Sequence, residues 1–240
     1  MAARVLAAKS ADTTCLTADA GLARLAAAAR SRIYEAGHGL FEQGDEFAGV
    51  YRLESGLVGI RKLDEDGSSM LLHLVQPGDF IGYGPLLICG EHQSCAEVLQ
   101  TSRISFIDAG TMRALLRDEA AVARALLSQA ARELSALDEK YLQMATRQAH
   151  ARLAGLLATL ASRAARSAAG SCTFELPILN RELAELIGIR PETLSRAIAQ
   201  LRTLGLAQLD GRTVHVPSLA NLSRIAGCHG DSYQPQPMAA

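Results

Sequence analysis

Residues 180–201 have the sequence NRELAELIGIRPETLSRAIAQL, in which two short helical patterns flank a tight turn. Asn180 is a residue type that caps helices, Gly188 suits a turn with positive φ, and Pro191 favours the first position of a second helix. The apolar side chains expected to bury the two helices are Leu183, Ala184, Ile187, Ile189, Leu194, Ile198 and Leu201. This frame predicts a helix–turn–helix, whose second helix can lie in a DNA major groove.

The second helix of this motif carries three polar side chains near its N-terminus: Glu192, Ser195 and Arg196. Arginine can donate two hydrogen bonds to guanine, glutamate can accept one from cytosine, and serine can bond to bases or phosphates. The alternative is a favourable first-turn charge beside a solvated arginine. Inside this frame we favour base contacts. The candidates for phosphate contacts are Arg181, Arg190, Arg202 and Arg212.

Residues 33–108 carry short apolar runs separated by turn signals, namely GHG at 37–39, QGD at 43–45, ESG at 54–56, DEDG at 64–67 and QPGD at 76–79. A spacing of roughly ten residues between turns predicts an antiparallel β-roll. This segment has 4 basic and 12 acidic residues, whereas residues 109–240 have 15 basic and 11 acidic residues. The two parts of the chain therefore suit different tasks.

Residues 109–166 contain no proline and are rich in alanine and leucine, which predicts helix. Apolar positions recur there at alternating steps of three and four, at Leu127, Ala130, Leu134, Leu137, Tyr141 and Met144, with Gln148 next. This narrow seam is typical of a two-stranded coiled coil and predicts a homodimer. The alternative is a helix that lies on its own core.

The C-terminal part continues with a strand at 172–177, the helix–turn–helix, and a hairpin at 206–216 turning at Asp210-Gly211. The whole pattern predicts an α+β chain. Its expected segments are an N-terminal extension at 1–32, a β-roll sensor domain at 33–118, a dimerisation helix at 119–148, a winged helix–turn–helix at 149–227 and a disordered tail at 228–240.

This order of β-roll, long helix and winged helix–turn–helix resembles the cyclic-AMP receptor protein/fumarate–nitrate reductase regulator (CRP/FNR) family of bacterial transcription factors. The resemblance is most specific at QPGDFIG (76–82), EVLQTS (97–102) and from LPILN (176–180) through Gly211. ETLSR at 192–196 is similar to the FNR branch, which has serine at the position of Ser195.

The resemblance implies a homodimer on double-stranded DNA, at a palindromic operator with TTGAT-like half-sites. It places Glu192 and Arg196 at the G·C pair and Ser195 at a neighbouring thymine. It also implies contact with RNA polymerase and the role of an activator, although the residues themselves do not distinguish activation from repression.

The expected sensor ligands do not match the sequence. Cyclic-nucleotide-binding relatives hold a glutamate for the ribose and an arginine for the phosphate, and this chain has Tyr83 and Gln93 there. An FNR-type iron–sulfur cluster needs several N-terminal cysteines and one in the β-roll, but only Cys15 precedes the roll and Ser105 stands at the ligand position. The residues argue against both ligands.

Two other signals stay open. Cys89 and Cys95 flank the pocket region and are candidate redox thiols, or else small buried residues. His38, His73 and His92, with Met70 and the cysteines, are candidate haem ligands, although a single histidine on a strand more often has a structural role. The regulator is then controlled through its β-roll, or is independent of ligands, or responds to thiol oxidation.

Composition and spacing argue against several other classes of protein. Five cysteines without a CxxC pair argue against disulfides and structural zinc, so no metal site is expected. The lack of a signal sequence or an 18-residue apolar run predicts a cytoplasmic protein with no membrane contact. No catalytic motif is present, so the chain is not expected to be an enzyme. A cupin-like metalloenzyme and a dimeric scaffold that does not bind DNA are the alternatives from other classes.

Overall fold

The computed structural model describes residues 23–164 and 170–227. The chain divides into two compact units, Met1–Ser135 and Ala136–Ala240. The predicted tail at 228–240, most of the predicted extension at 1–32, and residues Cys15 and Cys228 lie outside the described residues.

The first unit is built on an antiparallel sheet that confirms the predicted β-roll. Its elements are β1 (Arg30–Tyr34), β2 (Gly39–Phe41), β3 (Gly49–Leu63), β4 (Ser69–Val75), β5 (Phe80–Ile81), α1 (Gly84–Ile88), β6 (Cys95–Asp108), α2 (Ala109–Asp118) and α3 (Ala120–Thr146), whose last turns belong to the second unit. Six strands of the described chain form one sheet in the order β1-β6-β3-β4, with β2 paired to β6 and β5 to β3. Strand β1 begins inside the predicted extension because Ser31 pairs with Ser105 of β6.

Strand β3 corrects one expectation from the sequence. The predicted turn at 54–56 does not exist, since β3 is a continuous strand of 15 residues with register shifts at that point. Gly56 has φ of 100°, and a Cβ there would lie 2.7 Å from the Cα of Ser102. The Ser102 hydroxyl accepts a hydrogen bond from the amide of Leu57 at 3.0 Å. Gly56 therefore permits a bulge against β6, not a reversal of the chain.

The predicted helical region at 109–166 is confirmed as far as residue 164, where the described part ends, but it is interrupted twice. Glu119 has extended backbone angles and separates α2 from α3. Arg147 and Gln148 separate α3 from α4 (Ala149–Ala164). Two clusters of buried apolar side chains form the core of this unit. One lies within the roll, and the other joins the roll to the helices and includes Val50, Phe80, Ile107, Met112, Val122 and Leu126.

The second unit contains the last turns of α3 and the predicted winged helix–turn–helix. After α4 its elements are β7 (Cys172–Glu175), α5 (Asn180–Ile187), α6 (Pro191–Thr203), β8 (Gln208–Asp210), β9 (Thr213–Val216) and α7 (Leu219–Ile225). The strands β7, β9 and β8 form a small antiparallel sheet. Asp210 pairs with Thr213, so the hairpin loop is Gly211-Arg212, one residue later than the predicted Asp-Gly turn.

Candidate nucleic-acid interface

Helix α5 is the first helix of the motif, and it begins one residue earlier than predicted. Leu179 is the N-cap, because the Glu182 carboxylate accepts a hydrogen bond from its amide at 2.6 Å. Asn180 is thus the first helical residue and not the cap. The helix ends as expected at Gly188, which has φ of 64° and whose amide bonds to the Ala184 and Glu185 carbonyls.

Helix α6 is the predicted recognition helix. Arg190 is its N-cap with extended backbone angles, and Pro191 takes the first position. One face is buried through Leu194, Ala197 and Leu201, while Ile198 is only partly covered. Because a helix repeats every 3.6 residues, burial of this face directs the opposite face to solvent.

The three predicted base-contacting residues all lie on that solvent face. Glu192, Ser195 and Arg196 are exposed. They are one helical turn apart at most, so they present neighbouring groups. The Ser195 hydroxyl donates to the Pro191 carbonyl at 3.3 Å, which leaves its oxygen able to accept from a base or solvent. The face therefore offers a fork-shaped cation, a carboxylate and a hydroxyl.

The four candidate phosphate residues are also exposed, but three of them have partners within the chain. Arg181 pairs with Glu185 at 2.9 Å. Arg202 donates to the Leu209 carbonyl at 3.4 Å, and Arg212 to the Leu176 carbonyl at 2.9 Å. Arg190 lies at the start of α6. The partners hold these guanidinium groups close to the helix–turn–helix and to the hairpin formed by β8 and β9.

Tyr83 and Gln93, which replace the expected cyclic-nucleotide ligands, are engaged in other ways. The Tyr83 hydroxyl donates to the Glu133 carboxylate at 2.7 Å, and burial with this carboxylate raises the pKa of Tyr83 far above its ordinary value. Gln93 is exposed and bonds to the Glu91 carbonyl at 3.4 Å. A carboxylate beside the tyrosine and a neutral amide do not fit an anionic cyclic nucleotide.

Gln129 is a residue that the sequence analysis missed. It is 2% exposed on α3, and its amide group bonds to both backbone atoms of Phe80, at 2.7 Å to the amide nitrogen and 2.8 Å to the carbonyl oxygen. Its nitrogen also donates to Glu133 at 2.7 Å. The only signal in the sequence is an amide inside an apolar helix, next to a seam position.

The two candidate thiols have different environments. Cys89 is exposed and has φ of 53°. Cys95 is buried, and burial together with Glu42 and Asp45 raises the pKa of its thiol, while the Gln43 amide donates to its sulfur at 3.3 Å. Since the thiolate is the reactive form, Cys95 has the properties of an inert buried cysteine.

Two of the candidate haem ligands, His38 and His92, pack on aromatic rings of the chain. His92 is 4% exposed and stacks on Phe41 with ring centroids 3.8 Å apart, and burial lowers its pKa. His38 packs on Tyr34 with centroids 4.9 Å apart. The residues that the structure describes contain no group of three or more His, Cys, Asp or Glu side chains arranged to hold a metal ion. Ser105, which stands at the iron–sulfur ligand position by the resemblance, donates a hydrogen bond from its hydroxyl to the Glu54 carboxylate.

The predicted dimer seam is largely exposed in the single chain. Tyr141 is 63% exposed and Leu127 and Leu134 are each 61% exposed, while Ala130 is partly covered. The residues of α3 that are buried by the chain itself are Ala121, Val122, Leu126 and Gln129. The seam is thus a different stripe from the one that packs on the roll.

No helix in the described part of the chain is long and apolar enough to cross a membrane. A roll of this kind followed by a winged helix–turn–helix defines a DNA-binding transcription regulator with an N-terminal β-roll domain. The comparisons with known proteins agree with this class. The model of the cyclic nucleotide-binding domain matches residues 31–119, and the model of the Crp-like helix-turn-helix domain matches residues 151–225.

The chain is also similar to named regulators. It is 29% identical over 195 residues to a probable transcriptional activator of Rhizobium leguminosarum bv. viciae, covering 81% of this chain and 80% of that one. It is 29% identical over 211 residues to the transcriptional activator protein FnrL of Cereibacter sphaeroides, with coverages of 85% and 83%. A solved CRP-family transcriptional regulator from Thermus thermophilus superposes with a TM-score of 0.65 at 26% identity, covering 82% of this chain and 96% of that one. The chain belongs to the CRP/FNR family.

Proposed function

We propose that the protein binds a palindromic operator with TTGAT-like half-sites as a homodimer, and that its β-roll controls this binding. The observation that carries the proposal is the outward face of α6, where Glu192, Ser195 and Arg196 are exposed while the opposite face is buried. These side chains suit a G·C pair and its neighbour in the major groove.

Fluorescence anisotropy tests sequence-specific binding by comparing the affinity for a TTGAT palindrome with that for a scrambled duplex of the same length, at the same salt concentration. We expect Arg196→Ala to weaken palindrome binding by at least about tenfold, because one bidentate contact contributes about 1–3 kcal/mol. Arg224→Ala is the control, since Arg224 is exposed on α7, outside the proposed interface, and the charge change is the same. Equal affinity of the unaltered protein for both duplexes would refute the proposal.

The homodimer is supported by the exposed seam on α3. A stripe that includes Leu134 and Tyr141, 61% and 63% exposed, suits burial against an identical helix. Leu134→Asp should shift the sedimentation coefficient from dimer to monomer, because it puts a charge in the seam. Ser128→Asp, at an exposed position outside the seam, should leave the dimer intact. If the unaltered protein sediments as a monomer at micromolar concentration, the proposed homodimer is contradicted.

We propose that the controlling signal is not a cyclic nucleotide, since the contacts of Tyr83 with Glu133 and the neutral Gln93 do not suit its phosphate. The alternatives are regulation without a ligand and thiol oxidation at the exposed Cys89. Calorimetry with cyclic AMP should detect no binding at millimolar concentration. The visible spectrum of protein purified without air tests for haem and iron, and absorption bands there would favour a cofactor over both of these alternatives.

The remaining parts of the proposal follow from the family. The two relatives described above, from Rhizobium leguminosarum bv. viciae and Cereibacter sphaeroides, are named as activators. We therefore propose that the DNA-bound dimer contacts RNA polymerase and activates transcription in the cytoplasm, and that it has no enzymatic activity. In vitro transcription from a TTGAT promoter tests this. Transcription that falls when the protein is added would identify a repressor.

A further inference from the structure

The last turns of α3 belong to the DNA-binding unit. The second compact unit starts at Ala136, inside α3, so residues 136–146 of this helix cluster with the winged helix–turn–helix. Compact units are held together by their own contacts and tend to move as bodies. Two side chains at this end of α3, Met144 and Arg147, contact other parts of the same unit.

Met144 makes the first attachment. A Cβ placed on Gly188 would lie 2.8 Å from the Cε and 3.2 Å from the Sδ of Met144, so the thioether lies directly against bare backbone. Gly188 is the turn between α5 and α6. The end of α3 therefore packs on the turn that sets the direction of the recognition helix.

Arg147 makes the second attachment, at the break between α3 and α4. Its guanidinium carbon and nitrogens would lie 2.9–3.1 Å from a Cβ on Gly227, just after α7. Its Nη2 is 3.7 Å from the Glu139 carboxylate further back on α3, and its amide bonds to the Gln143 carbonyl at 2.9 Å. The arginine side chain is thus held between α3 and the end of α7, with 28% of its surface exposed.

The same turns of α3 carry part of the proposed dimer seam. Leu137 and Tyr141 are 46% and 63% exposed, and both lie in the second unit. A second copy seated on them would contact the very unit that holds α6. The pairing of these turns would then determine the separation of the two recognition helices, without passing through the β-roll.

We propose that Met144, which lies against the turn before α6, and Arg147, which lies against the end of α7, are positioning residues. They hold the DNA-binding unit, and α6 within it, to the end of α3, so that the paired α3 ends select the spacing between half-sites. This inference rests on the proposed binding of a dimer to a palindrome. An inserted base pair moves one half-site by about 3.4 Å and rotates it by roughly 35° about the DNA axis. A firmly attached α6 cannot follow that change, whereas a loosened one can.

The test compares the full-length protein with Arg147→Gln, Met144→Ala and the exposed control Arg224→Gln. Binding is measured by anisotropy on the palindrome, on a palindrome with one inserted base pair, and on a single half-site. We expect Arg147→Gln to reduce the preference for the uninserted palindrome about tenfold, as a coupling of this kind typically does, with half-site affinity changed less than about twofold. Met144→Leu should restore the preference that Met144→Ala reduces, because leucine can still cover Gly188.

The outcomes separate this inference from the proposed function. Equal loss of affinity on all three DNAs, with the spacing preference unchanged, means that Arg147 only stabilises the unit and overturns the inference. The same holds if the variant keeps both affinity and preference. If the unaltered protein does not prefer the palindrome to scrambled DNA, the proposed function fails and the inference falls with it. Sedimentation must show that both Arg147→Gln and Met144→Ala remain dimers, because Met144 is also a residue of the proposed seam. Loss of the dimer in either variant would contradict a positioning role for that residue.

Discussion

Replacement of Gln129 by leucine tests the hydrogen bonds that hold β5 to α3. Gln129 and Phe80 are 2% and 6% exposed, and the amide side chain satisfies both backbone atoms of Phe80 at 2.7 and 2.8 Å. Leucine has a similar volume, so packing is largely retained while both bonds are lost. Each unsatisfied buried group costs about 1–3 kcal/mol. With two such groups left unsatisfied, we expect Gln129→Leu to lower the free energy of unfolding by about 2–6 kcal/mol.

Urea denaturation followed by circular dichroism measures this loss. Because the chain has two compact units, the transition should be assigned by a near-ultraviolet signal from tyrosines, which include Tyr83 beside the altered network. Gln100→Leu is the matched control, since Gln100 is exposed on β6 and the change should stay within about 0.5 kcal/mol. A loss at Gln129 no larger than at Gln100 would refute the reasoning, because it would mean that water or relaxation satisfies Phe80.

Three further predictions concern the first unit. Gly56→Ala should destabilise the protein by about 2–4 kcal/mol because the new Cβ would clash with β6. Gly67 has φ of 77° and no atom within 4 Å of a Cβ, so Gly67→Ala should show only the smaller cost of backbone strain. Thermal unfolding of the two variants measures the difference. Burial lowers the pKa of His92, so the unfolded state takes up a proton at a higher pH than the folded state does. The free energy of unfolding should therefore decrease as the pH is lowered below about 6.5, by at most about 1.4 kcal/mol per pH unit. In denaturation curves at pH 7.5 and 5.5, His92→Phe should remove that part of the slope, and an unchanged slope would contradict the assignment. In native protein, peptide mapping after alkylation should show Cys89 modified well before Cys95, because Cys95 is buried and its thiol pKa is raised; equal rates would contradict this.

The helix–turn–helix could be predicted from the sequence because its signals are local. Gly188 ends one helix and Pro191 begins the next, three residues later, and the structure confirms both. Each residue acts through its own backbone angles, so no distant partner is needed. The exposure of Ser195 and Arg196 follows from the same periodicity.

Strand pairing decides whether residues with the composition of a turn actually form one. Residues 54–56 have the composition of a turn, yet β3 continues through them, because β6 lies alongside and the Ser102 hydroxyl bonds to the Leu57 amide. Likewise, Asp210-Gly211 predicts a turn, but the register Asp210–Thr213 shifts the loop by one residue. Turn propensity reports which angles a residue tolerates, and cross-strand contacts decide which of them is used.

The sequence by itself determined the features whose causes lie within a few residues. They are the turns of the roll other than the one predicted at 54–56, the helical region, the frame of α5 and α6, and the apolar periodicity of α3. Only the tertiary structure decided which stripe of α3 the chain covers, that Gln129 serves a strand 49 residues away, and that Met144 and Arg147 attach α3 to Gly188 and Gly227. The physical reason is that hydrogen bonds and packing contacts act through space, so a side chain's partner depends on the path of the whole chain.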